Sequence, residues 1–189
     1  MHLILASASP RRAELLTSAG FAFEVQPGDV DETPLDGEDP RGYALRVARD
    51  KASVVRARCR KSGSCVLGAD TVVVADGLML GKPVDGPDAK RMLKLLSGAV
   101  HEVHTGVVVL SDRGEFTDIA TTRVHLLPLS DWEIDWYIAS GEPEGKAGAY
   151  AIQGRAARFI DRIEGSWSNV VGLPISTVYE LLNQADERD

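Results

Sequence analysis

Between the turn residues Ser62-Gly63-Ser64 and the pair Asp76-Gly77, the chain reads Cys65-Val66-Leu67-Gly68-Ala69-Asp70-Thr71-Val72-Val73-Val74, an apolar strand with a carboxylate in its middle. Asp has poor strand propensity and an unpaired buried carboxylate is costly, so a fold that accepts this segment must supply Asp70 with a partner. A divalent metal or a positioned water would serve, because Mg²⁺ takes hard oxygen ligands and commonly uses one or two carboxylates together with substrate phosphates. The structural alternative is a strand-end Asp paired with an arginine. Asp76-Gly77 predicts a hairpin turn into Leu78–Leu80.

The flanking patterns mix strands and helices. Leu3–Ala6 reads as a strand, followed by Ser9 as a helix cap, Pro10 at the first helical position, and helical spacing through Leu15, Leu16 and Ala19 to Gly20. Phe21–Val25 reads as a strand, and 26–39, with four Pro or Gly and six acids, as a loop. Tyr43, Val47, Ala48, Ala52 and Val55 line one face of a helix from Pro40 to about Lys61. A helix over Pro87–Leu96 precedes a long hairpin, Val100–Leu110 and Phe116–Leu127, turning at 111–114. Ser130-Asp131-Trp132-Glu133 is a capping box for a helix to about Ser140, which Gly141 stops. Gly145–Gly154 reads as irregular, Ala157–Ile163 as a strand and Pro174–Ala185 as a terminal helix. The order implies an α/β or α+β class, and 189 residues suit a single domain over 1–189, whole or split into two lobes around a cleft.

With 21 Lys and Arg against 28 Asp and Glu, the net charge of −7 has the wrong sign for gripping nucleic acid over a broad surface. A small anion needs only a local basic cluster. No stretch approaches the ~20 apolar residues of a membrane span, and Met1–Ser9 lacks a charged region followed by a long apolar run, so the expectation is a cytoplasmic protein. Cys59 and Cys65 flank a turn and match no metal or redox spacing, which predicts reduced thiols. The chain has neither a G-x-x-x-x-G-K-S/T nor a G-x-G-x-x-G loop, and Gly165-Ser166 belongs to no G-x-S-x-G elbow. His101 and His104, three apart on a strand, face opposite sides and argue against a shared zinc.

Besides Asp70, three groups of residues can carry chemistry. Ser7-Ala8-Ser9-Pro10-Arg11-Arg12 brings hydroxyls, helix N-terminal amides and two guanidinium groups to one strand-to-helix turn, a combination suited to phosphate; an ordinary cap followed by surface arginines is the alternative. Asp31-Glu32 can add a second carboxylate near Asp70 or stay a solvated acidic loop. Lys51, Lys82 and Lys146 are ordinary singly, but Gly81-Lys82-Pro83 and Gly145-Lys146-Ala147-Gly148 place the last two in tight turns from which an ammonium can reach a phosphate.

Together the segments resemble the Maf family of nucleoside triphosphate pyrophosphatases, from Leu3 through Pro174. The matching pieces are Leu5-Ala6-Ser7-Ala8-Ser9-Pro10-Arg11-Arg12, Val30-Asp31-Glu32, Lys51-Ala52, Gly68-Ala69-Asp70-Thr71, Gly81-Lys82-Pro83, Ser97-Gly98 with His101, Val103 and Thr105, Lys146-Ala147-Gly148-Ala149-Tyr150, Ile152-Gln153-Gly154, and Asn169-Val170-Val171-Gly172-Leu173-Pro174. The resemblance implies a two-lobed, mixed-sheet α/β fold with a central cleft, similar to the inosine triphosphate pyrophosphatases, a divalent cation (Mg²⁺ or Mn²⁺) and a homodimer. It implies a small-molecule nucleoside triphosphate as substrate, cut between the α and β phosphates. Asp70 corresponds to the catalytic carboxylate, Glu32 to its metal-binding partner, and Ser7, Arg12, Lys51 and Lys82 to the groups holding the triphosphate. Arg11, Thr71 and Gln153 match the combination that marks the family's dTTP and UTP branch, where the 7-methyl-GTP branch carries Trp, Gln and Glu. Trp167-Ser168 departs from the Tyr many relatives have near this point. A nucleotide-binding regulator of septum formation without turnover is the rival implied by the same resemblance.

Overall fold

The computed structural model describes residues 2–59 and 61–186, so Met1, Arg60 of the expected long helix, and 187–189 of the expected domain lie outside the described residues. Strands β1 (His2–Leu5), β2 (Phe23–Val25), β3 (Ser64–Ala75), β4 (Leu78–Leu80), β5 (Val100–Ser111), β6 (Gly114–Leu126) and β7 (Ile160–Glu164) form one sheet, ordered β2-β1-β3-β5-β6-β7 with β4 on β3. The helices are α1 (Pro10–Ser18), α2 (Pro40–Arg58), α3 (Gly86–Leu96), α4 (Asp131–Ile138), α5 (Trp167–Val171) and α6 (Ile175–Asp186).

The sheet is mixed, as the interleaved helix and strand patterns require. β1 runs parallel to β2 (Leu3 opposite Phe23) and to β3 (Leu5 opposite Leu67). Parallel neighbours need crossovers, and α1 and α2 supply them. β4 returns antiparallel to β3 through Asp76 and Gly77. Their φ values of 48° and 73° meet the demand of a two-residue hairpin for left-handed backbone at both positions. β7 pairs antiparallel with β6, with an irregularity in register between His125 and Leu126.

The chain divides into two compact units. The first holds the described residues up to Thr71, with Thr105–Ala120 and those from Gly172 onward. Its core sets the small face of α2 (Ala48, Ala52, Val55) against Ile4, Val66 and Val108. The second holds Val72–His104 and Thr121–Val171. Its core gathers Leu93, Leu96, Val124, Ile134 and Tyr137 around Phe159. Phe159 meets the Tyr137 ring edge-on, with 5.9 Å between centroids, an arrangement that sets the positive ring edge against the negative face. No helix among the described residues is long and apolar enough to cross a membrane.

Three elements differ most from the sequence expectation, while others, such as β2 beginning at Phe23 and not Phe21, shift only at an end. α2 stops at Arg58, three residues before Lys61, as Cys59 turns extended (ψ 119°). Where a strand was expected from Ala157, Arg155–Phe159 forms a 3₁₀ turn and β7 begins at Ile160. Side chains at i and i+3 eclipse in that geometry, which sends Ala156 and Phe159 into the same core. The short α5 was not anticipated. Its first turn is closed by the Ser166 hydroxyl, which accepts from the Asn169 amide at 3.3 Å, as a capping serine does.

Candidate active site

In the first unit, the turn from β1 into α1 starts the site. Pro10 opens the helix as expected, and Ser9 takes the N-cap position, but its hydroxyl makes no capping bond. The cap expected of Ser9 is therefore absent, and the Ser9 amide donates to Ser7 Oγ at 3.2 Å. The amides that begin α1 are thus met by no capping side chain, while α2 and α4 are capped by Asp39 and Ser130.

Arg12 points from this helix into the unit and is buried. Its guanidinium donates from Nε to the Gly172 carbonyl (2.8 Å), from Nη1 to Ser7 Oγ (3.0 Å) and from Nη2 to Thr71 Oγ1 (3.1 Å). The Thr71 hydroxyl also lies 2.9 Å from the Thr105 hydroxyl, so Thr71, expected to select the base, is bound into the Arg12 set. Burial lowers the Arg12 pKa; Asp70 opposes that and neighbouring Arg11 adds to it. Arg11 is half-buried and takes no part in these hydrogen bonds.

Asp70 is buried within β3, and its side-chain partner is Lys51 of α2, where the structural alternative read from sequence was an arginine. The Lys51 ammonium lies 2.7 Å from Asp70 Oδ1 and 2.7 Å from Glu32 Oε1. Two carboxylates thus meet one ammonium at a single point, with the Arg12 guanidinium acting on both from nearby. That donor set suits a hard divalent cation completing its shell with phosphate oxygens and water. Among the described residues no group of three or more His, Cys, Asp or Glu side chains could hold a metal ion, so such an ion would find two carboxylates here and no third.

Close backbone approach makes the trio possible. A Cβ on Gly68 would fall 2.1 Å from the Ala48 carbonyl oxygen, and one on Gly106 of β5 2.6 Å from that of Ala44, so both strands press directly on α2. The acidic loop crosses α2 at Gly28, where a Cβ would meet the Lys51 carbonyl oxygen at 2.5 Å. The Tyr43 hydroxyl then donates to the Glu32 carbonyl (2.9 Å), and Arg46 holds Thr33 O (3.1 Å) and Glu38 (2.6 Å). Burial, with Asp70 and Glu32 nearby, raises the Tyr43 phenol to about 12, which keeps it a donor.

The other two expected site residues belong to the second unit. Lys82 is exposed and follows Gly81, whose carbonyl accepts from the Gly148 amide at 3.1 Å. Gln153 is exposed in the turn between Tyr150 and the 3₁₀ segment. Lys146 donates to the Glu144 carbonyl at 3.2 Å.

Residues 2–185 match the family described as Maf-like protein. The chain belongs to the Maf family. Two relatives are both named dTTP/UTP pyrophosphatase. The one from Koribacter versatilis is 52% identical, over 98% of this chain and 95% of its own length. The one from Geotalea uraniireducens is 54% identical, over 97% and 94%. The structure of the Staphylococcus aureus Ham1 protein shares the fold, with a TM-score of 0.52 at 10% identity over 97% of this chain and 99% of that one.

Within this Maf chain, the site residues that single-residue reasoning overlooked are Tyr43, Thr105, Gly28 and Gly106. Tyr43 was visible only as part of an apolar helical face, and Thr105 only as part of a motif. Gly28 and Gly106 carry no local signal, since their requirement comes from the helix they touch.

Proposed function

We propose that the chain hydrolyses dTTP and UTP between the α and β phosphates, releasing the nucleoside monophosphate and pyrophosphate. The observation that carries this reading is the Asp70–Lys51–Glu32 trio in the same unit as the Arg12–Ser7–Thr71 set. The names of the two relatives support the substrate class.

Glu32 and Asp70 would hold the divalent cation. Bound Mg²⁺ or Mn²⁺ supplies Lewis-acid polarisation of the phosphoryl group and neutralises phosphate charge. Asp70 accepts the proton of the attacking water, whose oxygen bonds to the α-phosphorus as the bond to the bridging oxygen breaks in line and pyrophosphate departs. Lys51 holds the two carboxylates together against their mutual repulsion. The Arg12 fork, Ser7, the first amides of α1 and Lys82 offset charge on the phosphate oxygens. Arg11 and Gln153 donate to pyrimidine carbonyl oxygens, and Thr71 contributes by fixing Arg12.

The test is Asp70→Asn assayed for pyrophosphate from dTTP with Mg²⁺. Release falls at least about a hundredfold if Asp70 is the base, and near-normal release sinks the assignment. Saturable binding without any product in the unaltered protein would instead favour a regulator. A kinetic panel including 7-methyl-GTP checks the base, with a purine preference refuting the pyrimidine reading. The reading also includes a homodimer, drawn from the family resemblance, and the cytoplasmic location expected from the sequence; a monomer mass by light scattering removes the first.

A further inference from the structure

The turn that carries Gln153 is held at both ends by groups with no part in the phosphate chemistry. At its start, the Ala151 amide donates to the hydroxyl of Tyr137, a residue fully buried in the second core. The Gly154 amide closes the turn on the Ala151 carbonyl at 3.0 Å. At its end, the Arg155 amide donates to both carboxylate oxygens of Glu142, at 3.0 and 2.8 Å. The carboxylate lies flat on the turn, since a Cβ on Gly154 would meet Glu142 Oε2 at 2.3 Å and Cδ at 2.7 Å. Glu142 is itself fixed, its amide donating to Ser140 Oγ at 3.2 Å.

The Arg155 side chain adds little to this clamp. Its Nε is 3.8 Å from Glu142 Oε1 and the side chain is largely exposed, conditions under which ion pairs contribute weakly. The weight rests on the charge-assisted bond to the backbone. A side chain that reads a base edge discriminates only if its position is set before the ligand arrives, and Gln153 is too exposed to be set by packing of its own.

We infer that Glu142 is a positioning residue for pyrimidine selection: its carboxylate, bound to the Arg155 amide and seated on Gly154, fixes the turn from which Gln153 meets the base. This rests on the reading of Gln153 as a base contact. Glu142→Ala frees the end of the turn, so KM for dTTP rises about tenfold with kcat changed less than about threefold, and the preference for dTTP over dGTP in kcat/KM falls with it. Glu142→Gln keeps an acceptor oxygen and restores KM to within about threefold of the original. Gly154→Ala displaces the carboxylate, the movable end of a side chain, and reproduces the Glu142→Ala shift, which keeps the test alive if Glu142→Ala fails to fold.

Gln153→Ala is run in parallel, and the Glu142→Ala/Gln153→Ala double variant should lose no more preference than Gln153→Ala alone. If Gln153→Ala leaves the preference intact, the base-contact reading fails. If Gln153→Ala abolishes it while Glu142→Ala and Gly154→Ala both preserve it, that reading stands and the role of Glu142 is overturned. A fall in kcat alike for every nucleotide, or a full additional loss in the double variant, also overturns it.

Discussion

Each unit buries a pair of titratable side chains in contact, and the two pairs are built on opposite terms. In the first, Asp70 and Lys51 face each other as an ion pair, with exposed Glu32 making a second contact to the same ammonium. In the second, His101 is 1% exposed, bonds the Tyr150 hydroxyl through Nε2 at 2.8 Å, and leaves Nδ1 without a hydrogen bond. Burial, aided by His125, holds the His101 imidazole down to about 4, and burial pushes the Tyr150 phenol up, so both are neutral at pH 7. Charges kept inside a fold at this cost point to chemistry, whereas a neutral buried pair points to packing.

The comparison can be broken from either side. The largest effect is expected at the contact that brings Lys51 to Asp70. Gly68→Ala drives a methyl into the α2 backbone and costs about 3 kcal/mol or more in urea unfolding; a wild-type midpoint would mean that α2 moves away freely.

The neutral pair sets a pH dependence of similar size. The unfolded imidazole titrates near 6.5 and the folded one near 4, so between those values the unfolded chain binds a proton that the folded chain excludes. Stability therefore falls by about 3 kcal/mol from this residue as pH drops through that window, and flattens below it. Urea unfolding at pH 7 and pH 5 should show a smaller difference for His101→Phe than for the unaltered chain; equal differences would place the proton elsewhere.

Lys51→Met removes the cation between the two carboxylates, and pyrophosphate release is expected to fall about a hundredfold, roughly 2.7 kcal/mol in barrier. Turnover within a few-fold of normal would reduce the ion pair to a structural one. Smallest is Tyr150→Phe, which strips His101 of its partner and costs about 1–2 kcal/mol in unfolding while turnover of dTTP stays within about twofold. A collapse of turnover there would give the neutral pair a part in the reaction.

How far the sequence reached differs between the two pairs. Asp70 stood out because a carboxylate amid valines violates strand composition, and such violations can be read without a structure. Its partner could not be read, since Lys51 is one of several cations on an unremarkable helix and lies nineteen positions away. His101 drew notice for its spacing to His104 and as one position of a motif, but its pairing could not be read, because nothing near it in the chain signals Tyr150.

Local chemistry settled the starts and turns on its own: Pro10 at the head of α1, Asp76-Gly77 in the hairpin, and the Ser130–Glu133 capping box, all of which depend on bonds between near neighbours in the chain. The residue types of Ser7 to Arg12 marked the turn as a candidate for an anion, beside the reading of an ordinary helix start followed by surface arginines. Tertiary structure alone decided that Ser9 leaves α1 uncapped, that Arg12 binds the Gly172 carbonyl 160 positions away, and that Gly28, Gly68 and Gly106 must lack side chains. Those outcomes depend on which backbones the sheet order presses against one another, and no window of sequence contains that distance.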